Sequence, residues 1–196
     1  VLHSCKPLRP KQIGPADLKP ESRKILHSAA RNNHLLAIDL GLRGGMALYD
    51  QNGRLRWYRS QHFGSVPQLR RAAARIIGET QNLNWILSEG DYSLAAIWER
   101  VAMKQNVRVQ RVSAEVWRSD LLYQRERQSG VEAKKNAIAL ARRIIDWSDA
   151  PAPTALRHDA AEAILIGMWG VIQVGWLEAL PEPLRARQLA KKVAGL

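Results

Sequence analysis

Four carboxylates carry the chemical argument, namely Asp39, Glu89, Asp159 and Glu162. Asp39 closes the apolar run Leu35-Leu36-Ala37-Ile38 and stands directly before Leu40-Gly41-Leu42-Arg43-Gly44-Gly45. Glu89 closes a second run, Trp85-Ile86-Leu87-Ser88. A core strand does not hold an inward carboxylate without a partner such as a cation, because an unpaired buried charge is costly. Functional groups gather at the carboxyl ends of strands in parallel sheets, so two acids at strand ends point toward one site. Asp159 and Glu162 lie three apart, which places both on one face of a helix. The helix dipole alone accounts for acids in a first turn. The segment behind these two is nearly all apolar, however, and that brings their turn close to the sheet. Carboxylates converging on a half-buried point repel one another by roughly several kcal/mol unless cations sit among them. Magnesium and manganese are the matching ions, since both prefer oxygen ligands and the sequence lacks a Cys/His set for zinc. Two such ions in one site suit in-line attack of water on a phosphodiester.

The elements that must position these acids follow from periodicity. Leu35 to Ile38, Met46 to Tyr49 and Leu55 to Tyr58 alternate as strands, and Asp50-Gln51-Asn52-Gly53 is a hairpin turn. Val66, Leu69, Ala73, Ile76 and Ile77 recur at helical spacing behind Ser65 as N-cap. Trp85 to Leu87 and Val107 to Val112 read as strands, with a helix from Leu94 to Lys104 between them. Helices are expected at Glu132 to Asp146 and Asp159 to Val174, with a last basic one from Leu184 to Val193 and a short one around Ser22 to Ala30. The order β-β-β-α-β-α-β-α-α predicts an α/β domain, a mixed sheet with helices on both faces. That domain is expected over residues 34–180, between a basic, flexible arm at 1–33 and a basic helix or tail at 181–196.

The formal net charge of +12 over 196 residues makes polyanions the natural partners, although charge alone names no reaction. The only cysteine, Cys5, excludes an intrachain disulfide and a Cys-based zinc site, and implies a reducing compartment. No apolar signal region is visible near the start, and the chain begins at Val1, so targeting stays open. Ala163 to Leu177 is shorter than a membrane span and contains Gln173, so a buried core helix is expected and no membrane role. The seven tryptophans are expected in the core or at an interface between copies rather than under nucleic-acid bases.

Four segments, in order, resemble the RuvC-type Holliday-junction resolvases of the RNase H-like superfamily and their organellar and phage relatives. They are Ile38-Asp39-Leu40-Gly41-Leu42-Arg43-Gly44-Gly45, the strand ending at Glu89, Val112 to Arg118, and Arg157 to Gly167. The resemblance spans roughly residues 35–170. It implies an RNase H-like mixed five-stranded sheet flanked by helices. It also implies Asp39, Glu89, Asp159 and Glu162 as catalytic acids holding two Mg2+ or Mn2+ ions. Lys134 or Lys135 would correspond to a basic residue near the scissile phosphate, and Tyr92 to an aromatic that wedges into the junction. Arg43, Arg118, Lys134 and Lys135 would contact DNA. The implied substrate is a four-way DNA junction, cut in recombination and repair. The implied assembly is a homodimer, because matched cuts on opposing strands call for two identical sites. The helix from Leu94 to Lys104, with Leu94, Ile97, Trp98 and Val101 on one face, is the candidate interface, and the same face could equally pack only on its own sheet. The implied location is bacterial cytoplasm or nucleoid, or alternatively an organelle matrix. Leu40 and Glu162 stand where bacterial members usually have Pro and Asp, which is closer to the organellar and phage pattern.

Three rivals share parts of this pattern. The Asp39 loop resembles the phosphate loop of actin-like sugar kinases, but 196 residues are too few for their second lobe. A single-strand-specific RNase H-like nuclease acting on RNA precursors shares Asp39 and the final acidic helix. A non-catalytic DNA-binding module would not need every one of the four acids.

Overall fold

Three apolar runs joined by tight turns pair in chain order, as β1 (His34–Leu40), β2 (Arg43–Asp50) and β3 (Leu55–His62). They are seen in a computed structural model that describes residues 33–185. The β2–β3 turn is held by the Asp50 carboxylate, which accepts from the Asn52 and Arg54 amides at 2.9 and 3.0 Å. Gly53 in that turn takes a φ of 74°, which side chains with a Cβ rarely adopt. β4 (Leu83–Gly90) lies parallel to β1, and β5 (Arg108–Arg111) lies parallel to β4. The sheet order is β3-β2-β1-β4-β5, with β2 antiparallel to both its neighbours. Around it lie α1 (Val66–Glu79), α2 (Tyr92–Lys104), α3 (Ala114–Leu121), a 3-10 turn (Gln124–Arg127), α4 (Gly130–Trp147) and α5 (His158–Gln173). This is the expected RNase H-like arrangement, a mixed five-stranded sheet flanked by helices.

Strand alternation divides the core into two layers. Leu36, Ile38, Met46, Leu48 and Ile86 face α1 and α2. Leu35, Ala37, Ala47, Tyr49 and Leu87 face α5, with α3 and α4 packed in the same cluster. α5 is buried without a break from Ala160 to Val171, as a core helix should be. No described helix is long and apolar enough to cross a membrane.

The structure departs from the sequence expectations in three places. α2 starts at Tyr92 rather than Leu94, because the Asp91 carboxylate caps it by accepting from the Ser93 and Leu94 amides at 2.8 and 3.0 Å. α3 was not expected as a helix. Ser113 caps it, and Trp117 and Leu121 bury its one apolar side. The expected dimer face of α2 is already used, because Leu94, Ile97 and Trp98 are buried against the chain's own sheet and α1. The arm at 1–33 lies outside the described residues except for Asn33, as does the tail at 181–196 except for 181–185. The helices expected at 22–30 and 184–193 fall there too, the second except for its first two residues.

α5 crosses the sheet on small residues. Gly170 leaves room for Leu87, whose Cδ2 would lie 2.6 Å from an added Cβ, and the Tyr49 hydroxyl donates to the Ile164 carbonyl at 2.7 Å. At the N-terminal end of α5 the approach is closest, because a Cβ on Gly45 would overlap the Asp159 carbonyl group. Backbone on both sides leaves nothing to rotate away. Gly45→Ala should therefore cost about 3 kcal/mol in urea unfolding, as overpacking against rigid groups does. Gly130→Ala, which meets nothing within 4 Å at the start of α4, should be neutral or slightly stabilising. Equal stabilities for the two variants would contradict this account of how α5 docks.

Candidate metal centre

Strand register lines up one row of residues across the sheet. Ser60 on β3 pairs with Gly45 on β2, Gly45 with Asp39 on β1, and Asp39 with Glu89 on β4. Asp39 and Glu89 lie an even number of residues from Leu35 and Leu87, so they share the sheet face on which α5 packs. Gly45 makes a gap in that row, and the first turn of α5 settles into it. The helix thereby delivers Asp159 and Glu162 to the row.

Asp39, Glu89 and Glu162 each offer a carboxylate oxygen, and these atoms all lie within 4.8 Å of one another. Glu162 is buried, whereas Asp39 and Glu89 are half-buried. Asp39 is pushed up to about 7, first by burial and then by the charges of Glu162, Glu89 and Asp159, while Arg118 opposes the rise. Glu89 is raised as well, by burial and then by Glu162, again against Arg118. Such a donor set, all hard oxygens carrying more negative charge than the chain balances, fits Mg2+ or Mn2+.

Asp159 sits beside this trio rather than within it. Its Oδ2 accepts from the Ser60 hydroxyl at 2.5 Å and its Oδ1 from the Ala160 amide at 2.9 Å. The cation that the chain itself supplies is Arg118 of α3, which pairs with Glu162. His158 Nε2 lies 3.5 Å from the other Glu162 oxygen.

The remaining expected site residues are dispersed. Tyr92 is 77% exposed at the first position of α2, with the Arg111 guanidinium 3.7 Å over its ring. Arg111 is itself gripped by both oxygens of Glu99, at 2.5 and 2.7 Å. Arg43 is exposed at the start of β2. Lys134 and Lys135 are exposed and fall in the second turn of α4, past its capping turn at Ser129, and neither pairs with the four acids. The sequence assigns no role to Ser60, Gly45 or His158, although the last two lie in the segments singled out above. Ser60 and Gly45 matter only through cross-strand register, and only the position of His158 beside Asp159 marks it in the sequence.

No protein-family model matches the sequence, and no curated protein matches it. Among solved structures, the chain is similar to T. thermophilus RuvC in complex with Holliday junction substrate. The TM-score is 0.48 at 15% sequence identity, over 76% of this chain and 99% of that chain.

The raised Asp39 carboxyl makes a stability prediction with a definite sign. A carboxyl whose folded value exceeds its unfolded one, near 3.9, stabilises the fold most below the unfolded value. That contribution is lost as pH rises through about 7. The metal-free protein should therefore lose thermal stability between about pH 4 and pH 7.5. Asp39→Asn should flatten the decline, raise the metal-free melting temperature at pH 8, and reduce any further rise on adding Mn2+. A wild-type melting temperature that climbs across this window in EDTA would contradict the assignment.

Proposed function

We propose that this chain is a metal-dependent endonuclease that cuts four-way DNA junctions by phosphodiester hydrolysis, acting as a homodimer in recombination and repair. The observation that carries the nuclease reading is the convergence of Asp39, Glu89 and Glu162 at the carboxyl end of the sheet's central strands, within 4.8 Å. The net charge of +12 supports a polyanionic substrate. The choice of a junction rests on the resemblance of the four sequence segments to resolvases.

Asp39, Glu89 and Glu162 would hold a divalent cation, and Asp159, steadied by Ser60, would serve a second one. Bound there, Mg2+ or Mn2+ supplies positive charge for the attacking water and the leaving 3′-oxygen. The chain's own groups prepare that chemistry. Asp39 bridges β2 and β4 in register and so fixes the centre of the donor set. Arg118 pairs with Glu162 and orients it. Tyr92, with the Arg111 guanidinium over its ring, offers a stacking face to an unpaired base. Arg43, Lys134 and Lys135 supply phosphate contacts on the surrounding surface.

The test is incubation of the full chain with a mobile four-way junction, a linear duplex and a single-stranded RNA, each with Mg2+ and with EDTA. Paired nicks in the junction with Mg2+ alone are expected, with Asp39→Asn binding the junction normally but cleaving it slower by about three orders of magnitude. Undiminished cleavage in EDTA would overturn the metal mechanism, and preferential cleavage of RNA would replace the substrate. For the lysines, Lys134→Ala and Lys135→Ala should lower turnover more than junction affinity if either one meets charge that develops in the transition state. Wild-type turnover in the double variant at saturating protein would remove both from the mechanism.

A further inference from the structure

Between the end of β3 and α1 lies a groove of about 460 Å3, lined by Gln61, His62, Phe63, Gln68, Arg71, Ala72 and Arg75. Its helical wall is a single stripe, since 68, 71, 72 and 75 follow the i, i+3, i+4, i+7 pattern of one helix face. Phe63 and Ala72 supply its apolar lining, and every polar side chain that lines it is an amide, an imidazole or a guanidinium. Among the described residues, neither Arg71 nor Arg75 forms an ion pair. Their i,i+4 spacing sets like charges side by side, which costs a helix about 0.3 kcal/mol. Arg75 also lies near Arg59, whose pKa is lowered first by burial and then by that neighbouring charge, while Glu79 opposes the shift.

We propose that this groove binds the phosphodiester backbone of the nucleic-acid substrate, as a track separate from the carboxylate centre. The inference rests on the nuclease reading, and the chemistry of the groove narrows the ligand. Planar guanidinium forks and carboxamide N–H groups match phosphate oxygens, and the lining has no carboxylate to repel them. The position also fits. His62 lies two residues, about 7 Å, along β3 from Ser60, the residue that holds Asp159. It pairs in register with Arg43, which follows the loop after Asp39. A strand seated in the groove would therefore pass the same end of the sheet as the carboxylates.

The test measures binding of a fluorescein-labelled four-way junction and a labelled duplex by anisotropy in EDTA, from low to moderate salt, with the full chain. Arg71→Gln/Arg75→Gln should weaken binding about tenfold at moderate salt and reduce the slope of log affinity against log salt by about 2. The double variant Arg100→Gln/Lys104→Gln, on exposed positions of α2, removes the same charge elsewhere and should change affinity less than threefold. Metal-free melting temperatures check that both variants are folded. An Arg71/Arg75 variant that binds like wild type, or equal losses in the two double variants, overturns the groove while leaving the nuclease reading intact. A wild-type chain that binds neither DNA overturns both. Binding that depends on the groove in a chain that cleaves nothing overturns the nuclease reading alone.

Discussion

Mutual repulsion among carboxylates held at the end of a buried strand pair is the constraint on which the rest of this structure depends. Asp39 and Glu89 are register partners on adjacent parallel strands, so the sheet itself sets their spacing. Glu162 arrives from a helix that could not come so close if β2 carried a side chain at position 45. The fold thus builds a high density of negative charge and removes much of the water that would screen it. Burial heads the causes that push the Asp39 carboxyl up to about 7, so without a cation its neutral form is favoured below that pH.

The chain compensates for only part of this charge. Arg118 reaches Glu162 and lowers the values of both Asp39 and Glu89, while Ser60 and the Ala160 amide hold Asp159 by hydrogen bonds. Among the described residues, one guanidinium against four acids leaves the site short of positive charge. A site built only for stability would have replaced one of these acids or added a second base. The shortfall separates a cation-binding centre from a structural ion pair such as Arg111–Glu99, in which the two charges balance and the guanidinium takes both carboxylate oxygens.

The same contrast runs over the surface. Arg111 is spent in a closed arrangement that steadies the exposed Tyr92 ring. Among the described residues Arg71 and Arg75 form no such ion pair, and both line the groove beside the edge strand β3. Both features lie near the carboxylate end of the sheet, Tyr92 three residues past Glu89 and His62 two residues past Ser60.

Much of this was legible in the sequence because periodicity is a local property. The strands at 35–38, 46–49 and 85–87, the turn at Gly53 and the apolar helix after Asp159 all follow from patterns within a few residues. So does the expectation that Asp39 and Glu89 end their strands, since a carboxylate carried further into an apolar run would be buried without a partner. What local pattern cannot carry is register and partnership. Whether Asp159 joins the trio or turns to Ser60 depends on two residues 99 apart in the chain. The pairing of Arg118 with Glu162 depends on the packing of a helix, α3, that periodicity over eight residues did not reveal. The apolar face of α2 read equally well as an interface between copies or as core, and only docking against the sheet decided for core. The sequence by itself determined which residues could be ligands and which segments would be strands or helices, because these depend on near neighbours. The tertiary structure alone decided which ligands meet and which cations are spent, because those distances are set by cross-strand register and by the gap at Gly45 that lets the first turn of α5 touch the sheet.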